Sequence, residues 1–528
     1  MTETVYLGRI LTMAHPLWAE ALLVRDGRIA AVGSREEVLA QTSPAARRID
    51  LADSVLLPAF IDPHSHFSAC ANGLLQASLD KAASFSEVEE TIRAYIERNR
   101  VPAGKWVLGK GYDHNRLAEQ AHPTRELLDK AAPNNPVLLQ HQSGHVGVAN
   151  TAALELLGIT PDTPSPEGGR IEVKDSRLTG YLEENAFIQA LQKAPMPTPQ
   201  ELADAFDRAQ TLYAGYGIAT VQEGMFTRQL APLYKGLLLG RLRLDLVGYA
   251  DFADAGALKR EFVAHVGRYH QRFKLGGYKI FLDGSPQGRT AWMLEEYPGS
   301  GGYRGYPTLP DETVRRALAA SADEGMQLLA HCNGDAAAEQ YVSAAEQVAK
   351  DRPALQTMRP VMVHAQLATA SQLERMAKVG MMPSFFVAHV WHWGDVHIRN
   401  FGPARAAQIS QAGTARRLGL PFTFHQDAPV IPPDMLETVW CAAVRRTRAG
   451  VVLGEDQRIP VLDALRAVTA NAAYQYFEEA DKGTLEAGKR ADLVQLSADP
   501  LSVPPDELKA IRVLRTVKDG EDIFNMVD

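Results

Sequence analysis

Short apolar runs alternate with helix-like stretches through the middle of this 528-residue chain, and this rhythm constrains the fold more than any other feature. Such alternation is typical of βα units that build a parallel sheet. The runs span residues 60–61, 218–221, 244–249, 278–282, 326–330, 361–363, 381–385 and 421–424. Eight strands are the number that a closed (β/α)8 barrel requires, so we predict a TIM barrel of the α/β class.

The two chain ends carry β-type segments of another kind. Asp26-Gly27 lies between two apolar segments, which is a strong signal for a type I′ hairpin. Residues 491–496 and 512–517 are strand candidates at the other end. We therefore predict that residues 1–56 and 475–528 form one small composite β-sandwich, and that residues 57–75 and 205–474 form the barrel.

The stretch between the first two runs, residues 76–204, is too long for one crossover connection. It contains its own strand candidate at 137–140 and a segment rich in Pro and Gly at 161–169. We interpret it as an insertion after the first barrel strand. Because barrel active sites lie among the loops that follow the strands, this insertion is expected to cap the active site.

Histidines and one aspartate follow several of the apolar runs. His64 and His66 come after the first run, and two residues at this spacing in extended backbone point to the same face. His331, His364 and Asp427 follow the fifth, sixth and eighth runs. The C-terminal ends of barrel strands converge on one mouth, and imidazoles with a carboxylate suit Zn²⁺ or a similar divalent ion. The pattern predicts a metal site.

Lys279 lies inside the fourth apolar run, where a charged side chain is costly to bury. Desolvation lowers the pKa of a lysine, and the neutral amine can add CO₂ to become a carbamate. Such a carboxylate can bridge two metals about 3.5–4 Å apart. The alternatives are a lysine that reaches solvent and a mononuclear site. Glu223, after the second run, is then either the next carboxylate ligand or an exposed loop residue.

Several segments together resemble the amidohydrolase superfamily, over nearly the whole chain. Residues 57–66 are similar to its first-strand signature, with Ala59 where Gly is usual, and residues 483–493 to part of its companion β-sandwich. Within the superfamily the chain resembles the YtcJ-like branch, which includes N-substituted formamide deformylase. The segments that carry this resemblance are 111–115, 143–145, 279–285, 331–336 and 427–430. The departures from its pattern are Cys332-Asn333 and a cluster after the seventh run, His389, Trp391, His392, Trp393 and His397.

The resemblance implies a ligand set and a mechanism. His64, His66 and Asp427 hold one metal, His331 and His364 hold the second, and carboxylated Lys279 bridges them. The expected cofactor is zinc, one or two ions, with other divalent metals as alternatives. A metal-activated hydroxide attacks the substrate, and Asp427 takes the proton and passes it to the leaving group. The expected activity is hydrolysis of a non-peptide C–N bond (EC 3.5), in an amide or an N-formyl or N-acyl compound.

Positions in the loops suggest substrate-binding residues. The candidates in the insertion are Tyr112, Asp113, His114 and His145; those after the fourth run are Arg289 and Trp292, and those after the seventh run are His389 and His392. Local hydrogen bonding or packing is the alternative role for these side chains.

Composition narrows the class of protein. The chain has 55 Lys and Arg against 63 Asp and Glu, a net charge of −8, which argues against a nucleic-acid binder. It has no uncharged apolar run of about 18 residues and no signal-peptide pattern, so we expect neither membrane insertion nor secretion. Three cysteines are too few for a disulfide framework and favour the cytoplasm. The expected partner is a small-molecule substrate, with a homo-oligomer favoured on general grounds.

Other activities stay open at this stage, because a fold with its ligands does not define the substrate. The same site can act on an ester, lactone, carbamate or other carbonyl compound, or support metal-assisted isomerisation or decarboxylation. A non-catalytic binding relative is disfavoured, since such a chain is expected to lose ligands and this one has them all.

Overall fold

A computed structural model describes residues 3–195, 197–237 and 240–527 of the chain. The chain divides into two compact units, residues 1–68 with 209–528, and residues 69–208. Among the described residues, every helix is too short or too polar to span a lipid bilayer. The cysteines Cys70, Cys332 and Cys441 are buried.

An eight-stranded parallel sheet forms the centre of the first unit, with its strands in chain order. Each predicted apolar run overlaps one of these strands, and five runs extend one or two residues beyond the strand's end. The strands are Phe60–Ile61, Ile218–Phe226, Asp245–Asp251, Phe273–Phe281, Gln327–Cys332, Val361–His364, Met382–Phe385 and Thr423–Phe424. Burial is nearly continuous along them, as expected for a parallel sheet covered on both faces.

Helices alternate with these strands, which gives the α/β architecture predicted from the sequence. Those between the second and eighth strands are Ala231–Leu237, Ala255–Glu261, Asp311–Glu324, Asp335–Asp351, Ala370–Lys378, His389–Phe401, Pro403–Ala406 and Ala412–Arg417. Met435–Val444, Val461–Ala467 and Ala470–Gln475 follow the eighth strand. Short 3₁₀ segments occur at Val263–His265, Pro353–Thr357, Glu455–Gln457 and Pro505–Ala510.

The register of the parallel sheet aligns the strand ends that carry the predicted ligands. His331 lies beside Phe281 of the fourth strand, and His364 lies beside Cys332 of the fifth. The segments after the first and eighth strands also meet, because the His66 N–H donates to the Ala428 carbonyl at 2.8 Å. The chemistry-bearing residues therefore collect at one edge of the sheet.

Strands from both chain ends form a second, seven-stranded mixed sheet in the first unit. Arg47–Pro58 joins the ends, since it pairs in parallel with Glu3–Leu11 and antiparallel with Leu493–Leu496. The other strands are Trp18–Arg25, Arg28–Gly33, Val513–Lys518 and Glu521–Asn525. The helix Arg35–Leu39 follows the strand Arg28–Gly33. Asp26 and Gly27 have φ angles of 49° and 80°, which confirms the predicted hairpin. These strands belong to one sheet, and the sandwich stays a prediction.

Residues 69–208 build a separate α/β unit with its own buried core. Its six strands are, in sheet order, Gly169–Lys174, Arg177–Glu184, Val146–Ala149, Val137–His141, Val107–Tyr112 and Ala77–Ser78. Its helices are Phe85–Asn99, Arg125–Ala131, Thr151–Leu157 and Asn185–Lys193, and the helices Phe67–Gly73 and Pro199–Gly215 contain its two boundaries. The strand predicted at 137–140 is confirmed.

A buried ion cluster links the two sheets of the first unit. Asp245 begins the third parallel strand, and its Oδ2 lies 2.6 Å from Lys482 Nζ and 2.9 Å from Lys518 Nζ. Lys518 belongs to the terminal sheet and also pairs with Asp492 at 2.9 Å. Burial by itself would raise the pKa of Asp245, but the ammonium groups of Lys482 and Lys518 lower it below its ordinary value. Buried charges of this kind are stable only while they remain paired.

We expect Asp245→Asn to lower the free energy of unfolding by about 3–5 kcal/mol, because it leaves two buried ammonium groups without their shared carboxylate. Urea unfolding followed by tryptophan fluorescence measures the change. Asp323→Asn is the matched control, because Asp323 pairs with Arg352 at 2.9 Å on the surface and its loss is expected to cost under about 1 kcal/mol. Equal losses in the two variants would contradict a special role for the buried cluster.

Candidate metal centre

The structure brings the predicted metal ligands together at the C-terminal edge of the parallel sheet. Asp427 Oδ1 lies 3.4 Å from the Nε2 atoms of both His64 and His66. Lys279 Nζ lies 3.3 Å from His64 Nε2. Donor atoms of His64, His364 and Asp427 all lie within 4.8 Å of one another.

His331 joins this group through His364, because His364 Nε2 lies 3.0 Å from His331 Nδ1. His331 is in the fifth strand and His364 closes the sixth. His364 has a φ of 72° and Asp427 a φ of 54°. This left-handed conformation costs a non-glycine residue about 1–3 kcal/mol and is concentrated at functional sites. The backbone is thus held in an unfavourable conformation at two of the predicted ligands.

Burial keeps the imidazoles neutral. It lowers the pKa of His64 and His364 far below the ordinary value, and together with the nearby Lys279 it lowers the pKa of His331 to about 4. Burial by itself raises the pKa of Asp427, but the neighbouring His66 lowers it to well below its ordinary value. At neutral pH His64, His331 and His364 are uncharged and Asp427 is a carboxylate, the protonation states in which these side chains bind metals.

Lys279 is fully buried in the fourth strand, and burial lowers its pKa to about 7 even though Asp427 acts in the opposite direction. Lys274, in the same strand, is also buried but pairs with Glu478. Lys279 has His64 Nε2 as its polar neighbour instead of a paired carboxylate. The amine of Lys279 is therefore available as a neutral group near pH 7.

His425 was missed as a ligand candidate in the sequence. Its Nε2 lies 3.1 Å from His364 Nδ1, and its Nδ1 lies 2.9 Å from Ser384 Oγ. Burial lowers the pKa of His425 to about 3. The sequence does carry a signal for His425, because this residue directly follows the eighth apolar run.

Gln222 orients His64, and the sequence gives no local sign of it. The Nδ1–H of His64 donates to Gln222 Oε1 at 2.6 Å. The amide nitrogen of Gln222 donates to the Pro63 carbonyl at 2.6 Å and lies 2.9 Å from the Tyr476 hydroxyl, which places the amide oxygen towards His64. Such partners fix the tautomer of a metal-binding histidine. The Nε2 lone pair of His64 therefore faces Asp427.

Asp283 positions the loops that surround His331. Its buried carboxylate accepts the backbone N–H groups of Asn333 at 2.9 Å, Gly334 at 2.7 Å and Trp292 at 3.0 Å. Burial raises the pKa of Asp283 to about 7 although these donors act against it. His331 Nε2 donates to the carbonyl of Gly284 at 3.1 Å, so the Nδ1 lone pair faces His364.

The expectation that Glu223 is an exposed loop residue is wrong. Glu223 is buried within the second strand, and its carboxylate accepts the Ser68 N–H at 2.9 Å and the Tyr234 hydroxyl at 2.5 Å. Burial raises the pKa of Glu223. The second strand continues to Phe226 and carries Glu223 inside the sheet, which the short apolar run at 218–221 did not indicate.

The candidates after the fourth strand contact their own loop. Arg289 Nη2 donates to the Pro298 carbonyl at 3.2 Å, and its guanidinium lies 5.2 Å from the ring centre of Tyr297. Trp292 is half-buried, with its backbone N–H on Asp283. The Arg289 side chain and the Trp292 backbone therefore contribute to the structure of this loop.

The candidates after the seventh strand differ from each other. His392 is engaged at both ring nitrogens, by Glu437 Oε1 at 2.8 Å and Arg448 Nη2 at 3.3 Å. His389 is buried, and its Nδ1 lies 3.0 Å from His397 Nε2. The His389 ring is 4.5 Å from Phe386, whose ring is 5.3 Å from His425. His389 is thus separated from the centre by one aromatic ring.

The insertion candidates belong to the unit of residues 69–208. Tyr112, Asp113 and His114 lie together at the end of one strand, and the Tyr112 hydroxyl is 3.0 Å from His122 Nδ1. His145 is exposed and pairs with Glu184 at 3.0 Å.

The residues at the sheet edge fit a divalent metal ion. Asp427 Oδ1 is buried and has no hydrogen-bond partner within the described part of the chain, although two imidazoles lie beside it. Neutral imidazoles and a carboxylate converging on a small volume are the ligands that zinc and similar metals take. An uncompensated buried carboxylate of this kind calls for a cation.

Comparison with known proteins defines the class. Residues 47–524 match the Amidohydrolase family, and residues 21–41 match the bacterial imidazolonepropionase-like composite domain. The first match covers most of the chain, so this protein belongs to the amidohydrolase family and is a hydrolase. The membership predicted from the motifs is confirmed.

Individual relatives agree with this assignment. The chain is 31% identical to N-substituted formamide deformylase of Arthrobacter pascens, over 95% of this chain and 94% of the relative. It is 29% identical to the putative amidohydrolase YtcJ of Bacillus subtilis (strain 168), over 96% of both chains. The fold is similar to that of an uncharacterized metal-dependent hydrolase from Pyrococcus horikoshii OT3, with a TM-score of 0.75 at 24% identity over 96% of this chain and 99% of the other.

We expect Gln222→Leu to weaken zinc binding at this centre by about 10–100-fold, because His64 loses the acceptor that fixes its tautomer. Competition with a chromogenic chelator measures the affinity. Gln327→Leu is the matched control, since Gln327 is a buried glutamine at the start of the fifth strand and binds backbone carbonyls there. Gln327→Leu is expected to lower stability and leave zinc affinity unchanged; an equal loss of affinity in both variants would contradict the orienting role.

Proposed function

We propose that this protein is a metal-dependent amidohydrolase that cleaves a C–N bond in an amide, N-formyl or N-acyl compound. The observation that carries the proposal is the convergence of neutral imidazoles, the carboxylate of Asp427 and the amine of Lys279 at one edge of the parallel sheet. The similarity to a relative named as an N-substituted formamide deformylase supports the choice of bond.

We further propose that the eight-stranded sheet closes into a (β/α)8 barrel. The hydrogen bond from His66 N–H to the Ala428 carbonyl supports closure, because it joins the segments that follow the first and last strands. The rings of His64 and His425 from these two segments are also 5.2 Å apart. Closure places all strand ends around one mouth, where barrel enzymes carry their catalytic groups.

His64, His66 and Asp427 would hold one zinc or similar divalent ion, and His331 and His364 would hold a second. A divalent ion bound there would lower the pKa of water and polarise a substrate carbonyl. Mutual proximity supports both ligand groups, and His425 adds an imidazole beside His364. Gln222 and the Gly284 carbonyl keep the lone pairs of His64 and His331 directed into the centre.

Lys279 would supply the remaining carboxylate after reaction with CO₂. Its neutral amine forms a new N–C bond to the carbon of CO₂ and loses one proton, which yields an anionic carbamate. Burial and the pKa of about 7 support this step, because a large fraction of the amine is uncharged at neutral pH and, among the described residues, no carboxylate forms an ion pair with it. The new negative charge would lie among the neutral imidazoles.

Asp427 would carry the proton in the reaction. Among the described residues its Oδ1 has no competing hydrogen bond, so it would accept a proton from the attacking water and deliver it to the leaving nitrogen. His389 packs against Phe386, whose ring lies 5.3 Å from that of His425, and we keep it as the proposed substrate contact.

Removal of the metal with a chelator is expected to abolish formate release from N-formylated amines, and added Zn²⁺ is expected to restore it. Asp427→Asn is expected to lower kcat by about 10²–10⁴-fold, the range for loss of a general acid–base group. The surface variant Asp463→Asn is the control. Full turnover in the chelated protein would contradict the proposal, and faster hydrolysis of a matched ester than of the amide would move the activity to another carbonyl class.

Incubation with ¹³C-labelled bicarbonate is expected to give a carbamate signal in the ¹³C NMR spectrum that is absent from Lys279→Met. Lys274→Met is the matched control, because Lys274 is a buried lysine of the same strand that is charged and paired with Glu478. The signal is expected to persist in this control. Its presence in Lys279→Met, or its absence from the native protein, would exclude the carboxylated lysine.

A further inference from the structure

We propose that the unit of residues 69–208 contains a second divalent-cation site of the zinc type, formed by Asp113 Oδ1, His114 Nδ1 and His141 Nε2. This site lies within one unit and uses none of the residues at the edge of the eight-stranded sheet. It therefore goes beyond the proposed hydrolysis and does not depend on it.

The sheet of this unit places the three residues together. Val107–Tyr112 and Val137–His141 are neighbouring parallel strands, and their register sets Tyr112 opposite His141. Asp113 and His114 follow the first strand directly, and His141 ends the second. Side chains at the matching ends of two parallel strands meet at the same edge of the sheet, as in the larger sheet of the first unit.

The distances between the three ligand atoms match a metal polyhedron. His114 Nδ1 lies 3.1 Å from His141 Nε2, and Asp113 Oδ1 lies 3.7 Å from His141 Nε2 and 4.0 Å from His114 Nδ1. A point inside this triangle is about 2.1 Å from each atom, which is the length of a Zn–N or Zn–O bond.

Neighbouring groups hold the carboxylate of Asp113 in place, as the outer partners of metal ligands do. Its Oδ1 accepts the backbone N–H of Asn115 at 2.9 Å and the side-chain amide of Asn115 at 3.2 Å. Its Oδ2 accepts the side-chain amide of Gln142 at 2.8 Å. Asp113 is itself buried.

The imidazoles are held as well. His141 Nδ1 lies 2.9 Å from Ser143 Oγ, which can accept its proton when Nε2 binds the ion. The Ser143 N–H also points at this nitrogen at 3.1 Å, and water can take over that N–H because Ser143 is exposed. The ring of His122 stacks on His114 at 4.3 Å.

The site has an entry path and an open coordination position. His114 and His122 line an open pocket of about 900 Å³ whose wall also includes Tyr181, Glu172 and Glu183. Three protein ligands leave a fourth position of a tetrahedral ion for water or a small ligand from this pocket. The ion would also join the ends of the two parallel strands, so its binding would stabilise this unit.

Zinc stoichiometry of the full-length protein tests the proposal. Metal-free protein is dialysed against a low concentration of Zn²⁺, and bound zinc is counted by elemental analysis. We expect Asp113→Asn and His141→Gln each to bind one equivalent fewer than the native protein, and His145→Gln, an exposed histidine of the same unit, to bind the native number. Zinc is also expected to raise the Tm of the native protein more than that of Asp113→Asn.

Two further variants make the result unambiguous. Asp427→Asn alters the other centre, so the combination of Asp427→Asn with Asp113→Asn is expected to bind one equivalent fewer than Asp427→Asn alone. If Asp427→Asn loses hydrolysis but still binds the zinc equivalent that depends on Asp113, the two sites are independent. If His141→Gln does not fold, the isosteric Asp113→Asn decides the count. Native stoichiometry in folded Asp113→Asn would overturn the proposal and leave the three side chains as a hydrogen-bonded cluster.

Discussion

The arrangement around Asp427 depends on a buried carboxylate oxygen that has no hydrogen-bond partner among the described residues. A buried charge is costly unless it is paired, and here His64, an imidazole that burial has made neutral, lies 3.4 Å away. The parallel sheet imposes this arrangement because its register sets the ends of the first, fifth, sixth and eighth strands at one edge. Partners outside the ligand set, such as Gln222 for His64, then fix which nitrogen faces inward. A divalent ion bound at this edge of the sheet would balance the remaining charge.

The buried lysines show how the partner decides the role of the same side chain. Lys482 and Lys518 meet Asp245 and connect the two sheets of the first unit, so their charge is used for stability. Lys274 meets Glu478 in the same way. Lys279 lies against His64 and forms no such ion pair with a carboxylate of the described residues, and burial lowers its pKa to about 7. Burial is common to all four, and the paired carboxylate distinguishes the other three lysines from Lys279.

Much of the fold and of the site could be predicted because the signals are local in the chain. The hairpin at Asp26-Gly27 follows from two residues that tolerate positive φ, and every apolar run of the central region overlaps a strand. His64, His331, His364 and Asp427 were identified because each lies within three residues of the end of such a run. Glu223 was misjudged because the length of its strand depends on neighbours, and these extend the strand to Phe226 and bury the carboxylate.

The sequence by itself determined the alternation of strands and helices, the family and the identity of the ligand candidates, since these depend on residue type and short spacing. Only the tertiary structure decided which side chains orient and neutralise one another. Gln222 lies 158 residues from His64, and His425 lies 61 residues from His364, so no local pattern connects them. The grouping of Asp113, His114 and His141 likewise depends on the register of two strands. Hydrogen bonding and charge act over a few ångströms in space, and folding alone sets those distances.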